Sequence, residues 1–147
     1  MVAVIQRCIK ANVKVDNKVI AKIDQGLVVL LGIQIGDDYE DASYVAKKII
    51  NLRIYNDSDD KMNLSIKEIN GSILVISQFT LCANTKKGRR PSFINAASTA
   101  VGGKLYKSFI SNLLKYKIKV KTGKFGANMD VALINQGPAT FIIDSEN

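Results

Sequence analysis

The sequence predicts an α+β fold, with a largely antiparallel, barrel-like β-sheet and two main helices. Short apolar runs separated by turn residues recur along the chain, which is typical of β-strands. Two other stretches carry apolar residues at helical spacing. With 147 residues, 47% of them hydrophobic, the chain is long enough for a real core and is most simply one domain, residues 1–147.

The first part of the chain is predicted to form strands. Residues 2–9 make the first strand. The valines and isoleucines of residues 13–23 make a second and a third, on either side of the turn-type cluster Asp16-Asn17-Lys18. Gln25-Gly26 then turns into residues 27–31, which are apolar on both faces. This run is therefore predicted to lie in the centre of the sheet.

The first helix is predicted to begin at Gly36-Asp37-Asp38, because either aspartate can cap it and both carboxylates suit its positive end. An apolar face follows at helical spacing: Ala42, Val45, Ala46, Ile49 and Ile50. Residues 52–55 are expected to form a short strand and residues 56–63 a polar loop. Asn70-Gly71 is a hairpin signal before the apolar strand 73–76.

The second helix is marked by Leu105, Phe109, Leu113 and Tyr116, and Pro91 suits the first turn of a helix. Lysines alternate with apolar residues over residues 115–121, which predicts a strand with one lysine face. Charge on such a face protects a sheet edge from aggregation. The last strands are predicted over residues 131–135 and 140–143.

The composition of the chain favours some kinds of partner and argues against some kinds of active site. The net charge of +8 favours a polyanionic partner, although a basic protein need not have one. The chain has no histidine, which removes Ser-His and Cys-His nucleophile pairs and argues against a zinc site. Cys8 and Cys82 are expected to be small buried hydrophobes of a reduced, cytoplasmic protein. No apolar run approaches the roughly 20 residues of a membrane span, so no membrane is expected. No metal and no cofactor is expected either.

Two polar interruptions of predicted strands stand out. Ser77-Gln78-Phe79-Thr80 follows the buried run 73–76, and an unpaired buried polar group costs about 1–3 kcal/mol. Asn135-Gln136-Gly137-Pro138-Ala139-Thr140 separates the apolar residues 131–134 from residues 141–143. Each stretch alone has a plain structural explanation: a strand that turns polar as it surfaces, and a Gly-Pro turn between strands.

Together, the two stretches resemble the signature motifs of the D-aminoacyl-tRNA deacylases, Ser-Gln-x-Thr-Leu and Asn-x-Gly-Pro-x-Thr. The likeness covers the whole chain and includes Ile5-Gln6-Arg7, residues 87–93 and Lys124-Phe125-Gly126. Ala139 stands where the motif has Val. The resemblance implies a homodimer that hydrolyses the ester of D-aminoacyl-tRNA to free tRNA and D-amino acid. It also implies that L-aminoacyl-tRNA is rejected, which is chiral proofreading in translation.

The resemblance implies that the catalytic residues are those of the first motif: Ser77, Gln78, Phe79 and Thr80. An aminoacyl ester is already activated, so the enzyme can position it and stabilise the oxyanion with backbone N–H groups. The N–H groups of Gln78 and Phe79 are the predicted donors. Thr80 is either the nucleophile or an orienting hydroxyl, and the sequence shows no base beside it.

Chiral selection is implied for Gly137, Pro138 and Arg7. In the family the Gly-Pro bond is cis and enters the active site of the other subunit, where two backbone carbonyls exclude an L side chain. Arg7 is expected to hold this loop by donating to a carbonyl. The implied substrate-binding residues are Phe125, Gly126, Met129 and Asn135, with Phe125 and Met129 as walls of an adenine pocket or, alternatively, as core residues. Candidates for tRNA phosphate contacts are Lys86, Lys87, Arg89 and Arg90, which otherwise form a solvated basic loop.

Three alternatives stay open. A related deacylase carries its Gly-Pro bond in trans and acts on other mischarged tRNAs, and cleavage of glycyl-tRNA is an open question for both kinds. A non-catalytic basic RNA-binding module would carry aromatic residues spaced along exposed strands. The third alternative is an interaction protein without chemistry.

Overall fold

The computed structural model describes residues 1–146. Its α-helices are α1 (Tyr39–Asn51) and α2 (Thr99–Leu114), and a 3₁₀ helix spans Phe79–Cys82. The strands are β1 (Val2–Val15), β2 (Lys18–Ile23), β3 (Gly26–Gly32), β4 (Tyr55–Asn56), β5 (Met62–Leu64), β6 (Ser72–Ser77), β7 (Lys119–Thr122) and β8 (Asp130–Asp144). Within this described part, no helix is long and apolar enough to cross a membrane.

One sheet organises the molecule. Its strand order is β2-β1-β3-β6-β7, and β8 pairs with the other edge of β1. The pairs of β1 with β2, β3 and β8 are antiparallel, whereas β3–β6 and β6–β7 are parallel. Because β2 also approaches β6 and β7, the sheet curls towards closure. The predicted α+β fold, with a largely antiparallel, barrel-like sheet and two main helices, is confirmed.

The helices pack on one face of the sheet. Asp38 caps α1 in a reciprocal capping box with Asp41, and the five residues predicted for its apolar face are all buried. Ser98 caps α2, which buries Leu105, Phe109 and Leu113 as predicted. Tyr116 lies beyond the end of α2, and Pro91 lies outside any helix, in a loop closed by a bridge between Asn84 and Ser92.

Two apolar clusters lie on opposite faces of the sheet. The larger joins both helices to one face of the central strands, and includes Val29, Ile73 and Val75. The smaller fills the inside of the curled sheet and includes Val28, Leu74 and Ile76. β3 and β6 are therefore buried on both faces, as predicted for β3, and β6 makes a rigid base for the residues that follow it.

Several predicted boundaries are wrong. β1 runs unbroken to Val15, where the sequence predicts two strands, because β2 and β8 pair with its second half. The short strand predicted over residues 52–55 is only Tyr55–Asn56. Asn70-Gly71 makes a turn, with the Gly71 N–H donating to the Ile66 carbonyl, but not a hairpin, since the strand after it pairs in parallel with β3. The last two predicted strands are one strand, β8, with an irregular register opposite β1.

Candidate active site

A cavity of about 550 Å³ opens at the carboxyl end of β6. It lies between the 3₁₀ helix, the start of α2 and the segment that leads into β8. Its walls include Ser77, Gln78, Phe79, Ala96, Ala97, Thr99, Phe125, Gly126, Asn128 and Met129. The structure thus brings three of the four predicted catalytic residues together with the predicted adenine-binding residues.

The turn after β6 is held firmly in place. The Gln78 N–H donates to the Leu31 carbonyl at 2.8 Å, which extends the β3–β6 ladder by one bond. Cys82 is buried at the end of the 3₁₀ helix, with Sγ 3.4 Å from the Ile33 carbonyl oxygen. A Cβ on Gly32 would lie 2.9 Å from the Leu81 Cβ, so glycine permits the close approach of β3 to this turn.

The backbone N–H groups that could stabilise an oxyanion are those of Phe79 and Thr80. As the first residues of the 3₁₀ helix they have no acceptor in the preceding turn, and none is found for them elsewhere in residues 1–146. The Gln78 N–H is already used by Leu31, so its prediction as an oxyanion donor is wrong. The candidate donor pair, Phe79 and Thr80, is therefore displaced by one residue from the predicted pair, Gln78 and Phe79.

The Thr80 hydroxyl oxygen accepts a hydrogen bond from Gln78 Nε2 at 2.5 Å. The Thr80 side chain is exposed and is not part of the cavity wall. No carboxylate or amine bonds to it in the described part of the chain. An amide donor does not remove the hydroxyl proton, so this contact favours an orienting hydroxyl over a nucleophile.

Phe125 forms the aromatic wall of the cavity. Its ring lies 5.4 Å from the ring of buried Tyr106, centroid to centroid, and that tyrosine donates to the Val75 carbonyl at 2.9 Å. The ring also rests on α2, where a Cβ on Gly102 would lie 3.5 Å from its Cζ. This support for the Phe125 ring was not predicted from the sequence. Adjacent glycines inside a helix cost roughly 1 kcal/mol each, and that cost is the signal that could have indicated a close contact.

The predicted chiral-selection residues lie elsewhere on the chain. Cys8 pairs with Asn135 and Gln6 with Thr140, so residues 136–139 bulge from β8 opposite Arg7. Asn135 accepts from the Ala139 N–H at 3.1 Å and donates to the Thr140 hydroxyl at 2.9 Å. Asn135 therefore closes the loop and does not line the cavity.

The Arg7 guanidinium fixes this loop by hydrogen bonds to backbone carbonyls. It is only 7% exposed, and its Nε donates to the Gln136 carbonyl at 3.1 Å, which confirms the predicted contact. Its Nη1 donates to the Ile54 carbonyl at 2.7 Å. Gly137 has a φ of 116°, and a Cβ there would collide with Arg7 Nη2. The guanidinium thus ties three segments of the chain together.

The Gly137–Pro138 bond is trans, because the described residues contain no cis peptide bond. This differs from the cis bond that the family resemblance implies. Trans is the lower-energy isomer of an X-Pro bond by about 0.5–1 kcal/mol. Both residues are exposed to solvent.

The loop and the cavity are apart within one chain. Arg7 pairs with Leu27, whose neighbour on β6 is Ile73, whereas the cavity begins at Ile76. Three residues of strand separate these levels by roughly 10 Å. The structure of one chain therefore does not bring Gly137 and Pro138 to the predicted catalytic residues.

The predicted phosphate-binding residues lie on a loop outside the cavity wall. Lys86, Lys87, Arg89 and Arg90 are exposed on the loop between the 3₁₀ helix and α2. Phe93, just after this loop, packs edge-on against Phe79, with ring centroids 5.0 Å apart. The basic loop is thus anchored next to one of the two candidate oxyanion donors.

Neither cysteine is suited to be a nucleophile. Burial raises the pKa of the Cys8 thiol to about 11, and it also raises the pKa of Cys82. Within residues 1–146, no three His, Cys, Asp or Glu side chains are grouped closely enough to hold a metal ion.

The curated relatives place the chain among the hydrolases, with the cavity at the end of β6 as its candidate active site. The chain belongs to the D-Tyr-tRNA(Tyr) deacylase family, whose model matches residues 4–144. It is therefore an enzyme of the D-aminoacyl-tRNA deacylase kind.

The chain is similar to curated relatives and to solved structures. The chain is 53% identical to the D-aminoacyl-tRNA deacylase of Flavobacterium psychrophilum, over 100% of this chain and 99% of the relative. A solved structure named c-Myc DNA Unwinding Element Binding Protein is 37% identical, with a TM-score of 0.92 and 98% of both chains covered. A probable eukaryotic D-amino acid tRNA deacylase, 18% identical, has a TM-score of 0.80 over 97% of both chains and so shares the fold.

Proposed function

We propose that this enzyme hydrolyses the ester between a D-amino acid and the terminal adenosine of tRNA, and leaves L-aminoacyl-tRNA intact. It would act in the cytoplasm, as chiral proofreading in translation. The observation that carries this proposal is the cavity itself. It extends from the Phe79 end of the 3₁₀ helix to the walls formed by Phe125 and Met129, which supports a reacting ester at one end and an adenine at the other.

The reaction needs little from the side chains. Water adds to the ester carbonyl, and the N–H groups of Phe79 and Thr80 stabilise the oxyanion that forms. The C–O bond to the ribose then breaks, and the ribose oxygen takes up the proton lost by the water. One oxyanion donor is worth roughly 10²–10³ in rate. The Thr80 hydroxyl, fixed by Gln78, orients the substrate or relays this proton.

Chirality is read by the Gly137–Pro138 loop of a second subunit. Both residues are exposed and lie away from the cavity of their own chain, which supports a role in a partner's cavity. Arg7 fixes the loop through the Gln136 carbonyl, so its backbone carbonyls keep a defined direction. An L side chain would collide with them, whereas a D side chain points away. The active enzyme is therefore a homodimer.

Deacylation assays test the proposal. Purified protein is incubated with D-tyrosyl-tRNA, L-tyrosyl-tRNA and glycyl-tRNA, and the remaining ester is followed over time against a buffer control. We expect hydrolysis of the D ester and no hydrolysis of the L ester above the control. Equal cleavage of both tyrosyl esters would refute chiral selection, and cleavage of neither would refute the proposed substrate.

Two further candidates each have an observation in their favour. The trans Gly137–Pro138 bond favours a related deacylase that acts on other mischarged tRNAs, and faster cleavage of glycyl- than of D-tyrosyl-tRNA would support it. The name of the 37% identical structure, c-Myc DNA Unwinding Element Binding Protein, and the net charge of +8 favour DNA binding. Tight binding to duplex DNA without any ester hydrolysis would support this second candidate.

A further inference from the structure

Tyr106 lies behind the aromatic wall of the cavity. It is a residue of α2, is 4% exposed, and its ring lies 5.4 Å from the ring of Phe125, centroid to centroid. Phe125 is only partly buried and belongs to the cavity wall, whereas Tyr106 does not. Because part of the Phe125 side chain borders open space, the position of its ring depends on the residues that support it.

Two glycines leave this support to Tyr106 on the surface of α2. A Cβ on Gly102 would lie 3.5 Å from Phe125 Cζ, and a Cβ on Gly103 would lie 3.6 Å from Phe125 Cε1. Neither glycine has a side chain that could hold the ring at these points. Tyr106 follows Gly102 by four residues, which places it on the same face of the helix one turn later. Its ring supplies the contact that the glycines lack.

The Tyr106 hydroxyl fixes the Tyr106 ring to β6. It donates to the Val75 carbonyl at 2.9 Å, and this carbonyl also accepts from the Gly123 N–H at 2.9 Å. Burial raises the pKa of Tyr106, so the hydroxyl keeps its proton and stays a donor. The carbonyl would be satisfied by Gly123 alone. The hydroxyl is therefore not needed to pair the strand, and its effect is to hold the ring in place.

The second wall of the cavity depends on the same carbonyl. A Cβ on Gly123 would lie 2.5 Å from Met129 Sδ, so the Met129 side chain lies directly against Gly123. The Phe125 wall is thus linked to the Val75 carbonyl through Tyr106, and the Met129 wall is linked to it through Gly123. Two bonds to one atom of β6 keep both walls in a defined place relative to the end of that strand.

We propose that Tyr106 is a positioning residue for recognition of the terminal adenine, because its ring and its hydrogen bond to Val75 hold the Phe125 ring where the base stacks. This role rests on the proposed function, since it assumes that the adenine lies against Phe125. Tyr106 is not in the cavity wall and does not reach the reacting ester. Its loss should therefore weaken substrate binding and leave the chemical step almost unchanged.

Binding of AMP tests this role, because AMP carries the adenine without an ester. Stacking of a base on an aromatic side chain is worth about 5- to 150-fold in affinity. By isothermal titration calorimetry, we expect Tyr106→Leu, which removes the ring, to weaken AMP binding about tenfold, and Tyr106→Phe, which removes only the hydroxyl, about threefold. Tyr116→Phe is the matched control, since it removes the same atom just beyond the far end of α2, and it should bind AMP like the wild type.

A double-variant cycle shows whether Tyr106 acts through Phe125. Phe125→Leu alone should weaken AMP binding about tenfold, and adding Tyr106→Phe to it should cause no further loss. In hydrolysis of D-tyrosyl-tRNA, Tyr106→Phe should raise KM about threefold and keep kcat within about twofold of the wild type. Its melting temperature should change little, because the Val75 carbonyl keeps its bond from Gly123.

Tyr106→Phe decides the outcome even if Tyr106→Leu does not fold. Wild-type AMP binding by Tyr106→Phe, or additive losses in the double variant, would overturn the role of Tyr106. A wild type that cleaves the D ester but does not bind AMP would also overturn it, and would leave the proposed function standing. If the wild type binds AMP but cleaves no D ester, the proposed function fails, and AMP binding by the variants still decides the role of Tyr106.

Discussion

Thr80 contributes two different groups to the site. Its N–H is one of the two candidate oxyanion donors, and its hydroxyl is held by Gln78 Nε2 at 2.5 Å. A substitution that removes only the hydroxyl leaves both N–H groups in place. The chemistry assigned to the backbone can therefore be separated from that of the side chain at this one position.

The Thr80→Ala variant is expected to retain measurable deacylation of D-tyrosyl-tRNA. Loss of one oxyanion donor would cost roughly 10²–10³ in rate, and loss of an orienting hydroxyl should cost less. Thr80→Ser, which restores the hydroxyl, should recover most of the rate. Single-turnover rates and melting curves of the same preparations provide the measurement. A folded Thr80→Ala protein with no activity would identify Thr80 as the nucleophile.

The Gly137→Ala variant is expected to lose most of its rate on the D ester, without unfolding. The new Cβ would meet Arg7 Nη2, and a φ of 116° is strained for any residue with a side chain. Gly36→Ala is the matched control, because Gly36 has a φ of 96° but open space around its Cβ position. If Gly137→Ala keeps the wild-type rate and the wild-type ratio of D to L cleavage, the loop is only a turn and does not select the D ester.

At the scale of elements, a helix could be predicted from its own residues more reliably than the partner of a strand. α1 could be predicted in full because its cap and its five buried residues lie within one stretch of sequence. The parallel pairs β3–β6 and β6–β7 were missed, because a strand's partner depends on distant segments. A helix lies between the members of each pair, and such alternation is the signal for parallel pairing. The hairpin dipeptide Asn70-Gly71 obscured it.

The basic loop can be tested as an element. If Lys86 and Lys87 meet tRNA phosphates, replacing both with Gln should weaken tRNA binding and reduce its salt slope by about 1.8. The loop is exposed and closed by the Asn84–Ser92 bridge, so the fold should be unaffected. Anisotropy at several salt concentrations measures the slope. If the salt slope of the variant equals that of the wild type, the loop is a solvated surface that does not contact tRNA phosphates.

The turn between β4 and β5 should show a pH-dependent contribution to stability. A hydrogen bond from the Asn63 side chain, and then one from the Lys61 N–H, lower the pKa of Asp57. A lowered pKa in the folded state stabilises the protein above the unfolded pKa of about 3.9, and this stability is lost as pH falls through the folded pKa. Asp57→Asn should therefore lower Tm at pH 7, with a smaller difference below pH 3. Melting curves at both pH values test this, and an equal difference at each would contradict it.

At the scale of the molecule, the two motifs illustrate what a sequence can and cannot specify. The cavity residues Phe79, Phe125 and Met129 could be predicted, because matching motifs mark them. The hydrogen bond from the Gln78 N–H to the Leu31 carbonyl could not be predicted, since it depends on where the β3–β6 ladder ends. Gly137 and Pro138 lie away from the cavity of their own chain, so the role proposed for them in chiral selection would require a second subunit.

Mixed dimers test that requirement directly. One parent carries Ala96→Trp, which fills the cavity but keeps the loop. The other carries Gly137→Ala, which spoils the loop but keeps the cavity. Each parent alone should be a folded, inactive dimer by light scattering and deacylation assay.

Co-refolding the two parents should restore activity if the loop serves the partner's cavity. Half of the dimers are then mixed, and each mixed dimer has one intact pair of cavity and loop, so about a quarter of the wild-type rate should return. If the loop served its own chain, every subunit in the mixture would lack either cavity or loop. The rate would then stay at the level of the parents, and a monomer by light scattering at micromolar concentration would refute the shared site outright.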